Sequence, residues 1–119
     1  MQNSNRDQAR NWQRYLDLIG GVIVPAAEDE GPPFEFSPGE IESLAKLEHE
    51  RWMREKQNSG WSYAPVRDNS AKKHPDLLPW EQLSEPVRDK DREAIRNIPA
   101  ALAPAGFCVR RLSRSQQPA

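Results

Sequence analysis

Residues 37–83 read SPGEIESLAKLEHERWMREKQNSGWSYAPVRDNSAKKHPDLLPWEQL, and the two halves of this stretch obey different rules. The first half is a helix with both ends written in. Ser37 is a strong N-cap, Pro38 suits the first helical position, and Glu40, three residues after Ser37, completes a capping box. Ile41, Leu44, Ala45 and Trp52 share one face, and Gly60 after Asn58-Ser59 supplies the stop. The second half, from Gly60 to Leu83, is far longer than an ordinary connection. Loops of that length are either disordered or built for function. Its Trp, Tyr and Pro content points to order, because buried aromatics contribute heavily and prolines restrict the unfolded chain.

Working outward, a third helix is expected to start near Ser84, with Glu85 and Pro86 in its first turn. Val87, Ala94, Ile95, Ile98, Leu102 and Ala105 form its apolar stripe and Gly106 ends it. Pro99 lies inside that stripe, so the helix must kink or split there. On the N-terminal side, Ala9, Trp12, Leu16 and Ile19 recur at helical spacing over about residues 5–18. Gly20-Gly21 closes that helix, and Val22-Ile23-Val24 reads as a short strand stopped by Pro25. Phe107-Cys108-Val109 is a second short strand and a natural partner for the first. Residues 26–36 form an acidic Pro/Gly linker with Phe34 and Phe36 as docking points, and residues 111–119, RLSRSQQPA, read as a frayed tail.

The 119 residues leave room for one modest core. Lys+Arg number 17 and Asp+Glu 18, and a net charge of −1 gives no bulk attraction to nucleic acid or anionic membranes. Ile, Leu, Val and Phe are sparse, but the near-zero net charge and four Trp argue for a folded chain. One cysteine, Cys108, cannot form an internal disulfide, and two histidines cannot assemble a zinc site at the usual spacings, so no metal is expected. No apolar run is long enough to span a bilayer, and the N-terminus lacks the apolar stretch of a signal peptide. The expectation is a soluble, cytoplasmic protein without membrane insertion.

Three motifs in order carry a family resemblance. Leu44, Ala45, His49 and Trp52 match L-A-x-x-x-H-x-x-W. Gly60, Trp61, Tyr63, Pro65, Arg67 and Asp68 match G-W-x-Y-G-P-x-R-D. Lys72 or Lys73, His74, Pro75, Leu77, Pro79, Trp80 and Leu83 match K-x-H-P-x-L-x-P-[WYF]-x-x-L, and a helix ending in Ala-Gly-Phe follows. Together they resemble the RyR domain, the repeat named after ryanodine receptors, over about residues 40–110. The resemblance implies a mostly α-helical unit with two antiparallel helices and short strands, found in tandem in ryanodine receptors and single or fused in bacteria. It also implies that adenine nucleotides can enter a tryptophan-lined cleft. Ala64 stands where the family has glycine, so a positive φ there would be strained. Glu48 and Arg51 occupy positions that are apolar in animal repeats, which resembles a bacterial subgroup.

Each candidate residue has two readings. Trp52, Trp61, Tyr63 and Trp80 either pack a core or form a stacking wall for a flat ligand; by resemblance Trp52 and Trp61 lead, then Tyr63. Arg67, Lys72, Lys73 and His74 are either a solvated loop, with Arg67 paired to Asp68, or a phosphate-binding rim. Glu48 and Asp91 fall within apolar stripes. They are either an acid–base or magnesium-binding pair, or structural acids satisfied by Arg51, Arg88, Arg92, His49 or backbone donors. His49 is either a hydrogen-bonded core histidine anchoring the long loop or a polar contact to ligand. The structural signature is completed by Gly60, Asp68, His74, Pro75, Pro79 and Trp80.

No nucleophile–base set, phosphate-cradling glycine loop or metal cluster is recognisable, and Cys108 reads as a small buried hydrophobe. The expected protein is therefore non-catalytic and without cofactor. Its expected fold is mostly α with minor β: two antiparallel amphipathic helices, a long ordered loop, and an added N-terminal helix with short strands. The expected organisation is 1–36 packing on a repeat at 37–110, with a tail at 111–119. Two functions compete: a sensing module binding a small nucleotide-like ligand through Trp52, Trp61, Tyr63, His49, Arg67 and Lys73, or a protein-interaction module. Fused or partner domains suit either.

Overall fold

The longest helix begins where Pro38 allows it. In the computed structural model, which describes residues 2–28 and 34–112, the elements are α1 (Gln2–Leu18), β1 (Gly21–Pro25), α2 (Pro38–Asn58), β2 (Ser62–Tyr63), β3 (Lys73–His74), α3 (Glu85–Arg96), α4 (Ile98–Leu102) and β4 (Phe107–Arg111). Short 3-10 turns lie at Ala26–Glu28, Trp80–Gln82 and Ala103–Ala105. The fold is mostly α with minor β. No described helix is long and apolar enough to cross a membrane.

The chain divides into two compact units: residues 38–95, and the flanking segments up to Ser37 and from Arg96 onward. In the flanking unit, β1 and β4 pair antiparallel, with Ile23 opposite Val109 and Pro25 opposite Phe107. Bonds from Ala26 N to Gly106 O and from Leu112 N to Gly20 O extend the ladder at both ends. Tyr15, Leu16, Ile98, Leu102 and Val109 are its buried apolar residues. A Cβ on Gly21 would lie 3.2 Å from Leu16 Cδ2, so a side chain there would press on the buried Leu16. Phe34 and Phe36 meet edge-to-face at 4.7 Å, and the Arg111 guanidinium sits 4.9 Å from the Phe34 ring while donating to Glu35 O. Arg111, expected to open the tail, thus belongs to β4. The linker residues 29–33 and tail residues 113–119 lie outside the described residues.

In the central unit, Leu44, Ala45 and His49 of α2 are buried together with Leu77, Trp80, Leu83 and Ile95. Helix α2 ends in a Schellman motif. Trp61 N donates to Lys56 O and Gly60 N to Gln57 O, with Gly60 at φ 91°. Helix α3 is tied to α2 by Glu42 with Arg92 and by His49 with Asp91. Arg92 forks onto both Glu42 oxygens and also reaches Glu85. Arg88 donates to Trp80 O and Glu81 O, tying α3 to the turn before it.

The long connection folds back on itself. Strands β2 and β3 are parallel, Ser62 beside Lys73 and Tyr63 beside His74, and Asp68 and Lys73 exchange two backbone bonds. The Asp68 carboxylate caps the intervening turn by accepting from Ser70 N, Ser70 Oγ and Ala71 N. Among the described residues, Lys72 is the non-glycine residue with positive φ, so Ala64 is unstrained.

Of the two outcomes expected at Pro99 the split is the one found: α3 ends at Arg96, and a separate α4 starts at Ile98. Pro99, lacking an N–H, fits only the first turn of a new helix. Ala94 and Ala105, expected on the apolar stripe, are exposed; for Ala105 the break resets the helical phase after Arg96. Ile41 and Trp52 are half-buried rather than buried.

Candidate functional site

Helix α2 places Glu48, His49 and Trp52 on one face, at i, i+1 and i+4. Val87, Lys90 and Asp91 of α3 face them, and His74 and Asp76 come from the connection. These residues line a cleft of about 240 Å³ in the central unit. The volume suits one flat ring system rather than a whole dinucleotide.

Aromatic rings form its back wall. Trp52 stacks on His49 with centroids 5.7 Å apart and an interplanar angle of 27°. It meets His74 edge-on at 5.0 Å. Trp80 extends the row beyond His49 and Trp61 extends it beyond His74, at 6.1 and 6.3 Å. The row Trp80–His49–Trp52–His74–Trp61 thus alternates tryptophan and histidine, although only its three middle members line the cleft.

Each imidazole is held by backbone. His49 is 2% exposed, and its Nε2 lies 2.7 Å from Leu78 O. A carbonyl only accepts, so Nε2 carries the proton. This bond fixes the connection to α2, and His49 Nδ1 then faces Asp91 Oδ2 at 3.6 Å. His74 is held the opposite way: its Nδ1 accepts from Asp76 N at 3.0 Å and is therefore bare. Burial pushes His74 below the ordinary histidine range.

The acids differ in their support. Arg51 donates to Glu48 through Nε and Nη2 and to Glu55 through Nη1. Asp91 has His49 in place of an arginine. Burial pushes its carboxyl up to about 6, helped by the charges of Glu48 and Asp76 and opposed by His49 and Arg51. Among the described residues, no three His, Cys, Asp or Glu side chains are placed to hold a metal ion.

The expected ligand residues are therefore divided. His49 and Trp52 line the cleft, whereas Trp61, Tyr63, Arg67 and Lys73 do not. Lys56 Nζ lies 4.8 Å from the Trp61 ring centroid. Tyr63 is 48% exposed on β2. Arg67 Nε donates to Asn69 Oδ1 rather than pairing with Asp68, and Lys73 Nζ donates to Ser62 Oγ. Glu48, His74 and Asp91, expected as structural, stand on the cleft wall; Gly60, Asp68, Pro75, Pro79 and Trp80 do not. Asp76 and Lys90 were missed. Their only signal was adjacency, Asp76 two residues after His74 and Lys90 beside Asp91.

A helical module whose long connection closes an aromatic cleft between two helices is the class that this geometry defines. The RyR domain family model matches residues 39–111, more than half of the chain. The protein belongs to the RyR domain family.

Proposed function

We propose that this chain is a non-catalytic, ligand-sensing regulatory module that takes a small, flat, nucleotide-like molecule into the cleft beside Trp52. The observation that carries this reading is the cleft itself, which sets an indole between two oriented imidazoles within reach of carboxylates and one ammonium. Such a wall suits stacking of a base. Glu48 and Asp76 favour the donor edge of a base inside, so a phosphate would point outward, toward Lys90. Arg67 and Lys73 do not line the cleft, and their side chains are engaged by Asn69 and Ser62. The non-catalytic part rests on the two facing acids being engaged, Glu48 by Arg51 and Asp91 by His49. Occupancy would be passed to a fused or partner domain.

Melting temperature and tryptophan fluorescence, measured across adenosine, guanosine and their monophosphates, test the proposal. A bound member at 100 times Kd should stabilise the chain by about 2.7 kcal/mol. Trp52→Ala should weaken it about ten- to hundred-fold, the worth of one stacked base. If neither signal moves for any member, the sensing reading falls.

A further inference from the structure

The two imidazoles on the cleft are locked in opposite senses, and that lock determines where an exchangeable proton can sit. His74 cannot take a second ring proton without losing the bond that its Nδ1 accepts from Asp76 N. His49 keeps Nε2–H for Leu78 O in every state that preserves the fold there. What remains open is His49 Nδ1, 3.6 Å from Asp91 Oδ2. If no proton lies between them, a bare nitrogen lone pair faces a carboxylate at a buried ring, and the two repel. One proton removes the conflict wherever it resides, as imidazolium against carboxylate or as imidazole against carboxylic acid.

We propose that His49 and Asp91 hold one exchangeable proton between them, and that this proton latches α3 to α2 and withholds Asp91 from the cleft's ligand. When the proton leaves to solvent, the contact loosens and Asp91 becomes a charged acceptor at the cleft. The groups around it favour retention. Glu48 of α2 and Asp76 of the connection raise the cost of a third negative charge, while Arg51 of α2 opposes them. His74 and Lys90 line the same cleft. Burial and the bond from Asp76 N both disfavour a charged His74, and Lys90 lies one residue before Asp91 on α3. Burial of Asp91 acts in the same direction, holding its carboxyl up at about 6.

This deepens the ligand reading and rests on it for its purpose, but the proton is observable without ligand. Ring-nitrogen NMR of the ¹⁵N-histidine-labelled full chain, which has only two histidines, resolves all four nitrogens from pH 4.5 to 8.5. His49 Nε2 should stay protonated throughout, and His49 Nδ1 should change in one step together with the Asp91 carboxyl carbon. Amide exchange along α3, corrected for intrinsic rate, should rise several-fold above that step. Asp91→Asn should abolish both the joint step and the change in exchange. A bare Nε2 on His49, a step at His49 that survives Asp91→Asn, or an α3 whose exchange ignores the step would overturn the latch. None of these results depends on the nucleoside panel, so either proposal can fail alone.

Discussion

At the scale of single residues, the central unit depends on a histidine with no freedom of tautomer. His49→Phe keeps a ring of similar size against Trp52 and Trp80 but leaves Leu78 O without its donor. It should cost about 1–3 kcal/mol in urea denaturation, the range for a buried acceptor orphaned by mutation. Asp91 makes stability depend on pH with a definite sign. Its carboxyl is raised from the ordinary 3.8 to about 6 in the folded chain, so the folded state holds the proton more tightly than the unfolded state. The carboxyl's own contribution to stability therefore falls as pH rises from about 4 to about 6 and levels off above that. Melting temperatures across this window should show the slope, and Asp91→Asn should flatten it; an unchanged slope in the variant would assign it to other groups. The sequence showed that Glu48 and Asp91 could not sit on apolar stripes unsupported. It did not show which partner each would find, because Arg51 lies one turn from Glu48 whereas Asp91 meets His49 only across the packed helices.

At the scale of elements, helix ends were the most legible feature. Ser37, Pro38 and Gly60 mark α2 because capping is local chemistry, decided within a few residues. Gly60→Ala tests this directly. At φ 91° a side chain is strained whatever the space, and the nearest atoms to a new Cβ, on Lys72, stand at an ordinary 3.7 Å. The variant should lose about 1–2 kcal/mol by conformational cost alone, readable as a lower denaturation midpoint with an unchanged slope. No loss would mean that the turn relaxes out of the left-handed region. The split between α3 and α4 was half legible: Pro99 announced a break, but its placement at Asn97 follows from Pro99 needing the first turn of α4. Strands β2 and β3, two residues each, carry no periodicity at all. Their pairing is set by the turn that Asp68 caps, and only the fold reveals it.

At the scale of the whole molecule, the family signature maps mainly onto the central unit, yet the family match runs on into α4 and β4 of the flanking unit. That continuity was legible from the motifs. The division into two units was not, because it depends on β1 returning to pair with β4 across most of the chain. The candidate site was legible by residue type and misread by neighbourhood. Trp61, Tyr63, Arg67 and Lys73 are close in sequence but do not line the cleft, while Asp91 arrives from a helix forty residues after Arg51. The most direct measurement follows the four tryptophan indole N–H signals by NMR as adenosine or guanosine is added. A saturable shift at Trp52 with Trp12 unmoved is expected. A panel in which no indole moves, or in which Trp61 responds and Trp52 does not, would contradict it.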